Sequence, residues 1–167
     1  MIAGALGGYV ATWPMSRWME WLDEAKVERP ESTLPPRTIT MEALTAPAEG
    51  PVPESVAQPT TLTAHYGYGM ATGCIYPLLV LPKRGMVEAA ISGAGYGLTV
   101  WVASYCGLLP AVGSSARASN RSARVNGIMI SAHLIWGLGL GVTSHLLAGE
   151  CCDHEARLRG KADFTPG

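Results

Sequence analysis

Apolar positions in this chain gather into four stretches, and the polar positions gather between them. Residues 62–82 and 89–116 contain no Asp, Glu, Lys or Arg at all. The stretches run over about Ile2–Leu22, Leu62–Leu81, Val87–Leu109 and Val125–Leu147. The last three are each close to the ~20 residues a helix needs to cross a hydrocarbon core. The first is shorter in its apolar part, which ends near Met15 after Pro14. Trp13, Trp18 and Trp21 cluster there with Arg17 and Glu20. Tryptophan collects at headgroup level, and arginine can snorkel out to it. This predicts a segment 2–15 inserted in lipid and 16–22 emerging through the interface, anchored by Trp13, Trp18, Trp21 and Arg17. A helix lying in the plane of the membrane is the competing reading.

Glycine spacing says how such helices would pack. Gly4 and Gly8, Gly69 and Gly73, Gly93 and Gly97, and Gly137 and Gly141 are pairs four residues apart, one in each stretch. On a helix each pair lies on one face, where it lets a neighbouring backbone come close. In a water-soluble helix each interior glycine would cost about 1 kcal/mol relative to alanine. The fold expected is an all-α membrane protein, four transmembrane helices packed through small-xxx-small glycine faces. Residues 1–22 form a first transmembrane or interfacial helix. Residues 23–61 form an acidic, Pro-rich extramembrane linker, 62–148 a three-helix transmembrane core, and 149–167 a charged C-terminal tail.

Charge sharpens this division. Only 15% of the 167 residues are charged, against about 25% in soluble domains. The segment 23–61 has a net charge of −4 and seven prolines, a composition that cannot bury a core of its own. Loop 113–124 carries Arg117, Arg121 and Arg124. With four crossings the linker and this loop share a side, so their opposite charges attract. Basic residues are almost evenly divided between the two sides, which leaves orientation open. An overall charge of −1 argues against nucleic acid as a partner, because phosphates demand a basic face. The N-terminus lacks the positive region of a secretory signal, and the segment is expected to be retained.

Candidate chemistry is sparse. Cys74 and Cys106 fall inside apolar stretches, and Cys151 and Cys152 are adjacent. Zinc sites want separated pairs, so no metal site is expected. No nucleophile elbow, phosphate loop, zinc-protease motif or carboxylate pair is present, and the chain is not expected to be an enzyme. Ionisable groups inside a span are functional candidates by default. His133 leads them, some eight residues into the fourth stretch, or about 12 Å from its start. His65 opens the second stretch, and Tyr76 and Tyr105 could line a polar path or tie helices together. With both stretches starting on the same side, His65 lies about 8–10 Å shallower than His133. That offset disfavours a haem held between them. No cofactor is predicted, and contact with lipid or a pigment is left open.

Three segments carry a resemblance: AHYGYGMATGCIYP (64–77), GAGYGLTVWVASYCGLLPAVG (93–113) and AHLIWGLGLG (132–141). They resemble the YagU-like bacterial inner-membrane proteins over about half of the chain. The elements are a histidine opening one span (His65), a tyrosine some turns later (Tyr76) and a glycine-rich span leading to Trp101. A Pro110…Gly113 exit and a His-x-x-Trp-Gly element beginning at His133 complete them. Tyr105 stands near where that family tends to have a histidine, and arginines replace its acidic residues before the last span. The resemblance implies a multi-pass protein of the inner membrane and supplies no catalytic role. The function expected is a structural or accessory subunit, with the bilayer and other transmembrane subunits, or further copies of itself, as partners. The alternatives are a small oligomeric channel or transporter using His133 and the tyrosines, and a haem-binding or redox-associated subunit.

Overall fold

A computed structural model describes residues 1–24, 35–45, 52–80 and 85–162, the side chains of 23, 24 and 150–162 excepted. Everything regular among these residues is helical: α1 (Ile2–Glu24), α2 (Pro35–Thr45), α3 (Glu54–Leu79), α4 (Met86–Val102), α5 (Leu109–Ala111) and α6 (Ala123–Ala162). A π-helical turn, Ala103–Leu108, joins α4 to α5, so that the three run on as one rod. Among the described residues, two stretches are long and apolar enough to cross a membrane, Met86–Ala111 and Ala123–Gly149. They match the third and fourth apolar stretches of the sequence. The helices α1 and α3 do not reach that mark.

The glycine pairs sort into two facing sets. A Cβ on Gly4 would strike the carbonyl oxygen of Gly73, and one on Gly8 that of Gly69. Across the molecule, a Cβ on Gly93 would strike the oxygen of Gly137, one on Gly97 that of His133, and one on Gly141 that of Ala89. In both sets the partner number falls as the residue number rises, so α1 runs antiparallel to α3 and α4 antiparallel to α6. A third close seam joins α1 to α6, where Gly7 lies against Leu140 and Ser144, and Gly139 against Ala11. The sequence carried its signal too, Gly7 and Ala11 being small residues four apart.

On the fourth side α3 and α4 stand apart, bridged by tyrosines. The Tyr96 hydroxyl donates to the Thr72 carbonyl at 2.7 Å, Tyr76 meets Ser92 at 3.1 Å, and Tyr68 meets Ser104 at 2.7 Å. The result is an up-down-up-down arrangement of four long helices with three narrow seams and one wide one. Indoles lock the α1–α6 side: Trp136 Nε1 donates to the Gly8 carbonyl at 3.1 Å, and Trp18 Nε1 to Ser131 Oγ at 2.9 Å.

Two expectations need correction. The stretch 23–61 is not linker throughout, because Pro35–Thr45 is helix α2 and residues 54–61 are the first two turns of α3. Proline is welcome at the first helical position, where its missing N–H bonds nothing anyway, and α2 starts on Pro35-Pro36. The third stretch does not end at Leu109, before Pro110, but continues through it to Ala111. The π turn accommodates the proline, with Leu109 N–H bonding the Ser104 carbonyl five residues back, and the rod is capped at Gly113. There φ is +72°, and Gly113 N–H bonds Pro110 O while Ser114 N–H bonds Leu109 O, a left-handed cap that glycine adopts without strain. Of the four residues expected at the interface, Trp18 is half-buried with its indole tied to α6. Trp13 and Trp21 are exposed, and Arg17 pairs with Glu20 at 2.6 Å on the surface. Leu81–Arg84, Cys151, Cys152 and the end of the tail lie outside the described side chains.

Candidate functional site

Because α3 and α4 are held apart, a cavity of about 260 Å³ remains inside the bundle. All four long helices reach it. The α1 helix supplies Thr12 and Met15, α3 supplies His65 and Tyr68, and α6 supplies Met129, His133 and Trp136. From α4 and its π turn come Val100, Ser104 and Tyr105. A π turn widens a helix locally and is often found at functional sites; here it lies on the cavity wall. Tyr68 and Leu108 line the cavity yet are exposed on the outside of the bundle. The cavity therefore communicates with the outer face between α3 and α4.

One end is closed by α2, whose Pro36, Ile39 and Thr40 complete the wall. Polar contacts hold α2 in place. The Arg37 guanidinium forks onto both carboxylate oxygens of Glu54, which holds the Glu54 carboxyl below its ordinary range. Glu42 accepts hydrogen bonds from the Ser114 and Ser115 hydroxyls and from the Ser115 N–H. Arg121 donates to Thr38 Oγ1 at 2.9 Å. Partial burial pushes the Glu42 carboxyl up, but these hydrogen bonds, with the charge of Arg121, hold it below the usual carboxylate value. The acidic linker and the arginine loop thus meet through specific side chains.

Of the four polar candidates, three converge and one does not. His133 is buried, and its Nδ1 lies 2.7 Å from the Met129 carbonyl. A carbonyl only accepts, so Nδ1 carries the proton and Nε2 keeps a lone pair. Tyr105 packs against the imidazole edge-on, with ring centroids 5.8 Å apart, and stacks on Trp101 at 6.2 Å. His65 enters from α3, and its Nε2 is buried with no hydrogen-bond partner. Tyr76 lies outside the cavity wall, bonded to Ser92 and packed on Tyr96 at 5.2 Å.

The depth offset expected between the histidines is not found. Since α3 starts at Glu54, His65 is its twelfth residue, while His133 is the eleventh of α6. Both helices run antiparallel to α1, so they run in the same direction and their histidines reach similar depth. Glu54, Gln58, Pro59, Thr60 and Thr61 hid those opening turns by reading as linker.

The lining contains no Asp, Glu, Lys, Arg or Cys, and the described residues hold no group of three metal-ligating side chains. The chemistry offered is that of two neutral imidazoles, several hydroxyls and apolar walls. Such a set can orient a neutral ligand by hydrogen bonds; it has no nucleophile activated by a base. Comparison with protein-family models, curated proteins and solved structures finds no match.

Proposed function

We propose that this chain is a small multi-pass membrane protein in which α1, α3, α4 and α6 all cross the bilayer. In this reading it serves as an accessory subunit packed against a larger membrane complex. The observation that carries the proposal is the apolar outer surface of the bundle, set beside helix crossings in which glycine meets backbone. Glycines form the closest crossings and side chains such as Met129, Trp136 and Leu140 fill the interior, while Leu6, Val10, Ile75, Leu78, Val87, Ile91 and Leu98 are exposed on the outside. Soluble monomers rarely leave an apolar surface of this extent in water. In lipid the arrangement is natural, because helix association there depends on close backbone packing. The likeness to YagU-like proteins belongs to this reading and favours the bacterial inner membrane.

The test is a blue-native gel of the native membrane after mild solubilisation. The chain should migrate with other subunits, well above the position of its detergent-bound monomer. Gly137→Leu should abolish that migration and His133→Ala should preserve it. A wild-type chain running alone as a monomer would overturn the accessory role.

A further inference from the structure

We propose that the cavity between α3 and α4 binds the ring of a membrane-soluble quinone or quinol, with its apolar tail leaving between those two helices. The inference rests on the bilayer placement proposed above. Three polar side chains from three elements, His65, His133 and Tyr105, line one apolar cavity. His65 Nε2 is sealed from solvent and unbonded. His133 Nε2 is left with a lone pair by the Met129 contact, and Tyr105 lines the same wall. A buried polar atom without a hydrogen bond costs about 1–3 kcal/mol and calls for an explanation. His65 is the cavity-lining residue among those with such an atom.

Ligand chemistry follows from this set. The Tyr105 hydroxyl can donate to a ring carbonyl, and His65 Nε2 can donate or accept according to tautomer. His133 Nε2 can only accept, which suits a ring hydroxyl. No charged side chain lines the cavity, so a bare metal ion or an anion would be buried uncompensated, at high cost. The ligand is therefore neutral and carries oxygen functions. Its size is bounded too: about 260 Å³ falls below the roughly 300–1,000 Å³ of pockets that enclose whole drug-sized molecules. A single six-membered ring fits such a space, and a porphyrin macrocycle does not. Exposure of Tyr68 and Leu108 at the rim provides the way out for a tail.

The test is isothermal titration of the full chain, purified in detergent, with a decyl-substituted benzoquinone. One saturable site per chain is expected. His65→Leu and Tyr105→Phe should each weaken binding about tenfold. Both should fold, because neither replaced polar group holds a hydrogen bond in the unliganded protein; circular dichroism checks this. Absence of saturable binding to wild type would overturn the inference, as would binding unchanged in both variants. A histidine-dependent Soret band in the purified protein would also overturn it, by placing a porphyrin there. If the chain needs detergent and still binds no quinone, this inference alone fails. A chain that is monodisperse without detergent removes the bilayer reading as well.

Discussion

At the scale of single residues, polar side chains within the bundle fall into bonded and unbonded classes, and these should respond differently to substitution. Tyr96 gives its hydroxyl to the Thr72 carbonyl. Tyr96→Phe strands that acceptor contact and should lower stability by about 0.5–1.5 kcal/mol. Tyr105→Phe should be close to neutral without ligand. Unfolding by a denaturing detergent, followed by circular dichroism, separates the two; equal losses would contradict the assignment. Glu42 responds to pH instead. Its folded-state pKa is lowered from 4.5, so its contribution is present in full above that value and is lost as pH falls through the lower, folded one. Amides of α2 should then exchange faster with deuterium, after correction for intrinsic pH dependence. Glu42→Gln should remove that pH dependence, and a persisting response would place the titrating group elsewhere.

At the scale of helices, the seams depend on which glycine faces a backbone, not on glycine content. Gly93 faces the Gly137 carbonyl, whereas Gly95, two residues on, has nothing within 4 Å of a would-be Cβ. Gly93→Ala should destabilise the α4–α6 pair by about 1–3 kcal/mol, the usual cost of overpacking. Gly95→Ala should instead gain up to about 1 kcal/mol from helix propensity. Thermal unfolding of the two purified variants checks the pair, and a loss at Gly95 matching that at Gly93 would refute the seam. Glycine spacing was legible in the sequence because four-residue periodicity is local. Which pair meets which was not, because that depends on helix direction and partner. The start of α3 was hidden for a different reason: Pro59 and its polar neighbours carry no apolar face, and tertiary contact with α2 decides their conformation. The shared depth of His65 and His133 was lost with it. The separation of α3 from α4, and hence the cavity, comes from tyrosine length and a π turn that no periodicity announces.

At the scale of the whole molecule, the bundle presents large apolar side chains outward on all four long helices, over a core that is itself apolar. Among the described residues, only Met86–Ala111 and Ala123–Gly149 are apolar enough along their length to cross a membrane by composition. Placing α1 and α3 in lipid depends on which way their apolar residues point. Leu6 on α1, Ile75 on α3, Ile91 on α4 and Leu138 on α6 are all exposed, and each samples one helix. The decisive measurement is electron paramagnetic resonance of nitroxides placed singly at these four positions in reconstituted protein, with the native cysteines replaced by alanine. Collision rates are compared for oxygen, which concentrates in lipid, and for a water-soluble nickel chelate. The account predicts high oxygen and low nickel accessibility at all four sites; nickel accessibility at Leu6 and Ile75 as high as in water would contradict it.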